Sequence, residues 1–346
     1  MTTIGRHVAP APVDSTEQTA TFPRLLATEL HRMFLRRFTK VLLGLSALGF
    51  LVTIGYLWSS YQKVTPEHLA QATASRDMMF ADQQQWHDSC LAENNNSVDM
   101  CGTGPELDWF PVNQFLPVTP FDPTMIADYT MAVGVAVALA GFVLGATTIG
   151  AEWSSKNIVA WLFFEPRRLR LMGAKLAVLL AVLLILAVIA QLIWLVTAKL
   201  LLAYRGIGVA DLDPPIPDFW PHALQVQLRA ALLVIPAGLL GFGLANMIRN
   251  TAAAFGIAFG YFVVVEAVLS WLSPGLQRFQ FTTGLIAWVH EGGITVSGDD
   301  VYQPEYQGFF PEQIHISNAH GGWVILGYAA VIAAVSMWMF RRRDIT

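Results

Sequence analysis

The chain alternates between long apolar runs and polar, charge-rich segments. Six runs are long enough to cross the hydrocarbon core of a bilayer, which takes about 20 helical residues. They lie at about 41–58, 126–149, 176–202, 227–248, 252–272 and 322–340. Because length separates a membrane span from a buried helix of a soluble protein, we predict an all-α polytopic membrane protein with six transmembrane helices.

The composition agrees with this class of protein. Apolar residues make up 54% of the chain and charged residues 13%, and the mean hydropathy is +0.49. Soluble globular domains carry about 25% charged residues, so these values exclude an ordinary soluble protein.

The distribution of charge predicts an orientation. If the N-terminus is cytoplasmic and each run crosses once, 15 of the 21 Lys and Arg lie on the inner side. Of the 25 Asp and Glu, 18 lie in outer loops or, for Asp128, at the outer end of a run. Lys and Arg near span ends decide orientation, so this arrangement is favoured. We therefore expect both termini to be cytoplasmic and two larger segments, 59–125 and 273–321, to be extracellular.

Residues 1–40 are predicted to form a cytoplasmic N-terminus that ends in an amphipathic interfacial helix. Within 22–40 one face is apolar and the arginines lie away from it: Leu26, Leu30, Phe34 and Phe38 on the face; Arg32, Arg36 and Arg37 off it. Such a helix lies at the membrane surface, where its arginines reach lipid phosphates. An ordinary basic flank of the first span is the alternative.

The first outer segment holds the only two cysteines, Cys90 and Cys101. On the oxidising face of a membrane, a pair this close most simply forms a disulfide that pins the loop. A metal site would need more ligands than the nearby His87 supplies, so no metal is expected. Thr65–Trp86 has the composition of a helix, with Pro66 near its start.

The second outer segment contains two candidate elements. Arg278–His290 is apolar enough to dip back into the membrane as a half-helix. Thr295–Tyr302, centred on Ser297-Gly298-Asp299-Asp300, is a candidate hairpin.

Within the spans, glycine and proline mark packing and bending. Gly141-x-x-x-Gly145 and Gly256-x-x-x-Gly260 allow close helix approach. Pro236 removes one backbone donor and should kink the fourth span.

One acidic residue, Glu266, interrupts an apolar run. A charge at that depth is costly and usually faces protein or water. In the antiparallel hairpin of the fourth and fifth runs, Arg229 lies little more than a turn above its level. We hypothesise an ion pair between Glu266 and Arg229; Lys199 as partner, a substrate contact and a neutral, protonated acid are the alternatives.

The segment 150–175 is polar and charge-rich but apolar at its centre, Ile158–Phe164. Its charged residues are Glu152, Lys156, Glu165, Arg167, Arg168, Arg170 and Lys175. This pattern predicts a short amphipathic helix at the membrane surface, followed by a basic exit into the next span. We interpret it as a cytoplasmic docking loop for an energy-supplying partner. The arginines are equally compatible with a simple positive-inside anchor.

The chain carries no candidate catalytic site. It lacks a Gly-x-x-x-x-Gly-Lys-Ser/Thr phosphate loop and so cannot hydrolyse ATP in the usual way. His290-Glu291-Gly292-Gly293 lacks the second histidine of a zinc protease motif. We expect that the protein is not an enzyme by itself and that it holds no cofactor and binds no nucleic acid.

Several segments together resemble a known family. They are Ala151-Glu152-Trp153, Glu165-Pro166-Arg167-Arg168, Ala174-Lys175 and the terminal Phe340-Arg341-Arg342-Arg343-Asp344, with six spans and a basic helix before the first. This combination resembles an ABC-2 type (type V) ABC transporter permease, as found beside separate ATPase subunits in actinobacteria. The family often places Gly-Thr shortly after the glutamate of the loop, where this chain has Lys156-Asn157.

The resemblance implies a function and partners. Residues 41–346 would form the permease domain, and the 150–175 loop would act as a coupling helix in a groove of the ATPase. The residues implicated in this coupling are Glu152, Trp153, Lys156, Glu165, Arg167, Arg168 and Arg170. The resemblance also implies a second permease in a homo- or heterodimer, ATP and Mg in the partner subunit, and a bacterial plasma membrane location with membrane lipid around it.

Two functions follow as expectations. The first is an exporter subunit that moves an amphipathic or lipid-like substrate, because apolar spans would line its path. The alternative is a non-transporting membrane scaffold or sensor whose outer segments bind a ligand or partner.

Overall fold

Within the part of the chain that the structure describes, most segments form helices and one polar stretch forms a hairpin. A computed structural model describes residues 21–93, 97–158, 167–209, 216–303, 305 and 308–343. In chain order the helices are α1 Phe22–Leu35, α2 Arg37–Ser60, α3 Pro66–Glu93, α4 Val98–Cys101, α5 Met125–Ser154, α6 Arg168–Arg205, α7 Phe219–Leu232, α8 Val234–Ile248, α9 Thr251–Gly260, a π-helical turn Tyr261–Val265, α10 Glu266–Leu272, α11 Phe281–Val289 and α12 Asn318–Arg342. Strands β1, Ile294–Gln303, and β2, Gly308–Ile316, pair antiparallel, and 3-10 turns occupy Leu107–Trp109, Val112–Phe115 and Pro274–Phe279.

Six helical stretches are long and apolar enough to cross a membrane. We number them spans 1 to 6: Arg37–Ser60, Met125–Ser154, Arg168–Arg205, Phe219–Ile248, Thr251–Leu272 and Asn318–Arg342. Each contains one of the six predicted runs, which confirms the all-α polytopic class. Span 3 is one helix of 38 residues, longer than a perpendicular crossing needs.

Span 2 packs closely against span 4 through glycines. A Cβ built on Gly145 would lie 2.6 Å from the carbonyl oxygen of Gly238, and one on Gly141 would lie 2.8 Å from a methyl group of Val234. Only glycine lets these backbones approach so closely. The predicted Gly141-x-x-x-Gly145 packing motif is therefore confirmed. Gly256 and Gly260 of span 5 have nothing within 4 Å of the corresponding position in the described chain.

Span 4 is interrupted where the sequence predicts a kink. Its helix divides at Leu233, between α7 and α8. Pro236 has no N–H to donate to the carbonyl of Leu232, so the hydrogen-bond ladder breaks one turn before the proline. The break falls at the predicted place.

The bundle has two chemically different ends. The basic end holds α1, the close of span 2, the start of span 3 and the junction of spans 4 and 5 at Arg249. The opposite end, which we call the disulfide end, holds α3, the hairpin and the Cys90–Cys101 disulfide. That disulfide was predicted from the sequence and is confirmed.

Two further expectations for the disulfide end are tested by the structure. Helix α3 begins at Pro66, as predicted, and continues to Glu93. The hairpin exists, but its turn was placed wrongly: Ser297–Asp300 is an irregularity within β1, and the chain reverses between Gln303 and Gly308. Strand β1 continues past Gly298, because Asp300–Gln303 pairs with Gly308–Pro311. Gly298 therefore marks a bulge in the strand and not its turn.

The glycine contacts generate a paired prediction. Gly145→Ala should destabilise the bundle by about 1–3 kcal/mol, because the added methyl meets backbone that cannot move aside. Gly256→Ala is the matched control and should be neutral or slightly stabilising, since it gains helix propensity in open space. Thermal unfolding of the purified protein in detergent measures both. Equal stability of the two variants would contradict the packing described.

Candidate functional site

Five charged side chains meet at the basic end and join three helices. Lys175 of span 3 donates from Nζ to Glu29 Oε2 of α1 at 2.8 Å and to Glu152 Oε1 of span 2 at 3.0 Å. Arg36, in the link between α1 and span 1, donates from Nη2 to the same Glu152 oxygen at 2.5 Å. Arg32 pairs with Glu29 at 3.0 Å and lies 3.8 Å from Glu152. We call these five residues the ion cluster.

The ion cluster is buried, so its charges depend on one another. The Lys175 side chain is 0% exposed, and those of Glu29 and Glu152 are 5% and 2% exposed. Removing charges from water is costly, and only close, hydrogen-bonded partners offset the cost. Glu152 Oε2 is buried without a hydrogen-bond partner among the described residues, which leaves Oε1 to hold both cations. The cluster therefore tolerates little displacement of α1 relative to spans 2 and 3.

This geometry corrects two expectations. Glu152 was expected to contact the ATPase, but its carboxylate is enclosed by Lys175 and Arg36. Arg32 and Arg36 were expected to reach lipid phosphates, but they face the two buried carboxylates. The helical pattern of 22–40 placed the arginines on a polar side, but it could not indicate that Glu152 of span 2 would lie against that side. Leu30 and Phe34 of α1, each 41% exposed, do keep an apolar face free of the protein.

Trp153 fastens the same turn of span 2 to the other side of the bundle. Its Nε1 donates to Asn246 Oδ1 of span 4 at 2.9 Å, and Asn246 Nδ2 donates to Ser336 Oγ of span 6 at 2.8 Å. The guanidinium of Arg249 lies 4.4 Å from the centre of the indole ring. Trp153 is thus a structural junction as well as part of the loop's start.

The remaining loop residues divide by exposure. Lys156 and Arg167 are exposed at the two borders of the connection. Arg168 and Arg170 are half-buried in the first turn of α6, and Arg168 Nη1 donates to the carbonyl of Arg343 at 2.6 Å. Glu165 and most of the predicted amphipathic helix, Ile158–Phe164, lie outside the described residues.

Lys156 adopts a backbone conformation that favours glycine. Its φ of +57° lies in the left-handed region. The Lys156 side chain is exposed.

Glu266 does not pair with Arg229, which corrects the second site hypothesis. Glu266 Oε1 accepts a hydrogen bond from the backbone N–H of Thr282 at 3.0 Å, in the first turn of α11. No ion pair or hydrogen bond joins the side chains of Glu266 and Arg229, both of which the structure describes. A helix N-terminus has unpaired N–H groups and partial positive charge, so it stabilises the carboxylate without a cation. The expected re-entry of 278–290 is consistent with this contact, since α11 begins beside the interior of span 5.

Sequence reasoning missed Glu29, Lys175 and Asn246 as members of these networks. Lys175 carried the clearest signal, because it stands just before an uninterrupted apolar run and a charge there needs a partner. Glu29 lay three residues before Arg32, which favours an ion pair on one helix face. Neither signal identifies which distant residue completes the pair.

Comparisons with protein-family models and with curated proteins found no match to this chain. The resemblance to ABC-2 type permeases remains a hypothesis that rests on the residues quoted for it.

The ion cluster generates a stability prediction. Lys175→Met leaves Glu29 and Glu152 with the half-exposed arginines alone, and should cost about 3 kcal/mol or more because buried charge loses its closest partner. The exposed Lys156→Met is the matched control and should change stability by less than about 0.5 kcal/mol. Thermal unfolding in detergent provides the comparison, and adding Glu29→Gln to Lys175→Met should recover part of the loss. Equal behaviour of the two single variants would show that the cluster contributes no stability.

Proposed function

We propose that this protein is the membrane-spanning permease subunit of an ATP-driven exporter that works with a separate ATPase. The observation that carries the proposal is the attachment of the connection between spans 2 and 3. Glu152 is held by buried ion pairs to α1 and span 3, whereas Lys156 and Arg167 stay exposed beside it. Two exposed cations at the borders of the connection, next to a rigid base, suit a surface that receives force from a partner.

Both sides of the bundle meet at this base. Through Glu152 the connection reaches α1 and span 3, and through Trp153 it reaches spans 4 and 6. A displacement of the connection would therefore be shared by most of the bundle rather than absorbed by one helix. Coupling of this kind needs a contiguous set of packed and hydrogen-bonded groups.

The finer features of the proposal follow the charge pattern and the family resemblance. The basic end, with both termini, would face the cytoplasm of a bacterial cell, and the disulfide end would lie outside the plasma membrane, where a disulfide persists. The ATPase would bind ATP and Mg, and a second permease would complete the dimer. The substrate would be amphipathic or lipid-like.

A second candidate function is a membrane sensor or scaffold. The observation that favours it is the exposure of large apolar residues on the disulfide-end helices, with Met78 75% and Trp86 64% exposed. Exposed apolar groups outside a membrane can receive a ligand or partner protein. An ATPase that copurifies with the chain would favour the exporter over the sensor.

The docking proposal predicts a change in copurification. Lys156→Ala combined with Arg167→Ala should abolish or weaken recovery of an ATPase from a detergent extract of the native cells, because two exposed cations at the docking surface are lost. Pull-down followed by mass spectrometry and an ATP-hydrolysis assay of the recovered complex gives the readout.

A matched control separates docking from general membrane anchoring. Lys40→Ala combined with Arg341→Ala removes two exposed cations from the same end of the bundle, away from the connection. This variant should retain the ATPase if the connection is the docking surface. Wild-type protein that purifies without any ATPase would contradict the exporter proposal, and equal losses in both variants would contradict the docking assignment.

A further inference from the structure

Glu266 lies at an unusual place in span 5. The rest of the described chain covers that span only in part, and Ala254 and Glu266 are its only buried residues. Glu266 precedes the end of the span by six residues, or roughly 9 Å at 1.5 Å per residue, so it lies below the end of the apolar helix. A carboxylate at such a depth is expensive unless it faces protein, water or a bound partner.

Half of this carboxylate remains without a partner. Oε1 accepts from the N–H of Thr282, but Oε2 forms no hydrogen bond or ion pair with any described residue. The protein does not fully enclose Oε2, and the residue as a whole is 8% exposed. One oxygen therefore accepts from the first turn of α11, while the other stays reachable and without a partner among the described residues.

Four aromatic rings form a closed set next to Glu266. Tyr261 and Phe262 of span 5, Phe281 of α11 and Tyr328 of span 6 contact one another in a cycle, with centroid distances of 5.5 Å, 5.7 Å, 6.0 Å and 5.7 Å. Phe281 immediately precedes Thr282, so one of the four rings and the N–H that binds Glu266 share the first turn of α11. We call the rings the aromatic quartet. Aromatic faces attract cations, and most strongly where water is excluded.

We propose that Glu266 and the aromatic quartet bind the positively charged end of an amphipathic organic cation. This assignment rests on the proposed exporter function and names the class of its substrate. The carboxylate supplies the opposite charge, the rings supply apolar and cation–π contact, and the open side of span 5 admits a hydrophobic body from the membrane.

An organic cation suits this site better than a metal ion. The described residues contain no group of three or more His, Cys, Asp or Glu that could hold a metal ion. A small hard cation needs several oxygen ligands, whereas a substituted ammonium or phosphonium group needs one charge and apolar surroundings.

The test compares two ions of the same shape and opposite charge. Tetraphenylphosphonium and tetraphenylborate are equilibrated with the purified full chain in detergent, with empty micelles subtracted. The wild-type protein should prefer the phosphonium. Glu266→Gln should weaken phosphonium binding by roughly tenfold or more, which corresponds to about 1.4 kcal/mol, and leave the borate unchanged.

The glutamine variant separates binding from structure. Its amide oxygen can still accept from Thr282, so α11 should remain capped and thermal unfolding should change little. Glu312→Gln is the matched control, because it removes an exposed carboxylate from β2 and should not affect either ion. Equal phosphonium binding by wild type and Glu266→Gln would overturn the assignment. A Glu266→Gln variant that weakens the dimer but keeps its phosphonium binding would overturn it too.

A second measurement uses unaltered protein and does not depend on how the variant folds. Dicyclohexylcarbodiimide, a hydrophobic reagent for carboxyl groups, should modify Glu266, and tetraphenylphosphonium but not tetraphenylborate should slow the reaction. Absence of modification, or modification that the phosphonium fails to slow, would contradict the site. Neither assay needs an ATPase, so their failure would remove this ligand and leave the docking proposal to its own pull-down.

Discussion

The structure depends most on the pairing of two buried carboxylates, those of Glu29 and Glu152, with Lys175 and the nearby arginines. Each of the three helices involved would bury uncompensated charge if it moved alone. Their electrostatic interdependence therefore fixes α1 against spans 2 and 3 more firmly than apolar contact would, because apolar contacts are non-directional. This constraint gives the start of the connection between spans 2 and 3 a defined position relative to helix α1.

The two ends of the bundle are organised differently around this constraint. At the basic end, short polar contacts converge on consecutive residues, Glu152 and Trp153, and bind the helices together. In the middle, glycines let spans 2 and 4 meet backbone to backbone. Span 5 is covered less completely: Ala254 and Phe255 pack against the core near the basic end, and the other half of the span meets α11, where Glu266 lies. A tightly joined core beside a loosely covered helix is compatible with a protein that moves a ligand along its exposed span.

The sequence was sufficient for the features that depend on local pattern. Run length predicted the six spans, cysteine spacing predicted the disulfide, and Pro236 predicted the interruption of span 4. It was insufficient where distant residues meet. The sequence suggested that Glu152 was an exposed loop acid, because its partners lie over a hundred residues before it and some twenty after it. It suggested a cation as the partner of Glu266, because the contact of α11 with span 5 forms only in the tertiary structure.

The most direct measurement of the central claim is the distance between α1 and the start of the connection. Spin labels can be placed at Leu30→Cys and Lys156→Cys, since both native cysteines are joined in a disulfide. Electron–electron double resonance should give one narrow distance distribution in this background and a broad one after Lys175→Met. A broad distribution before that substitution, or a narrow one that survives it, would contradict the claim that the ion cluster makes α1 and the connection one body.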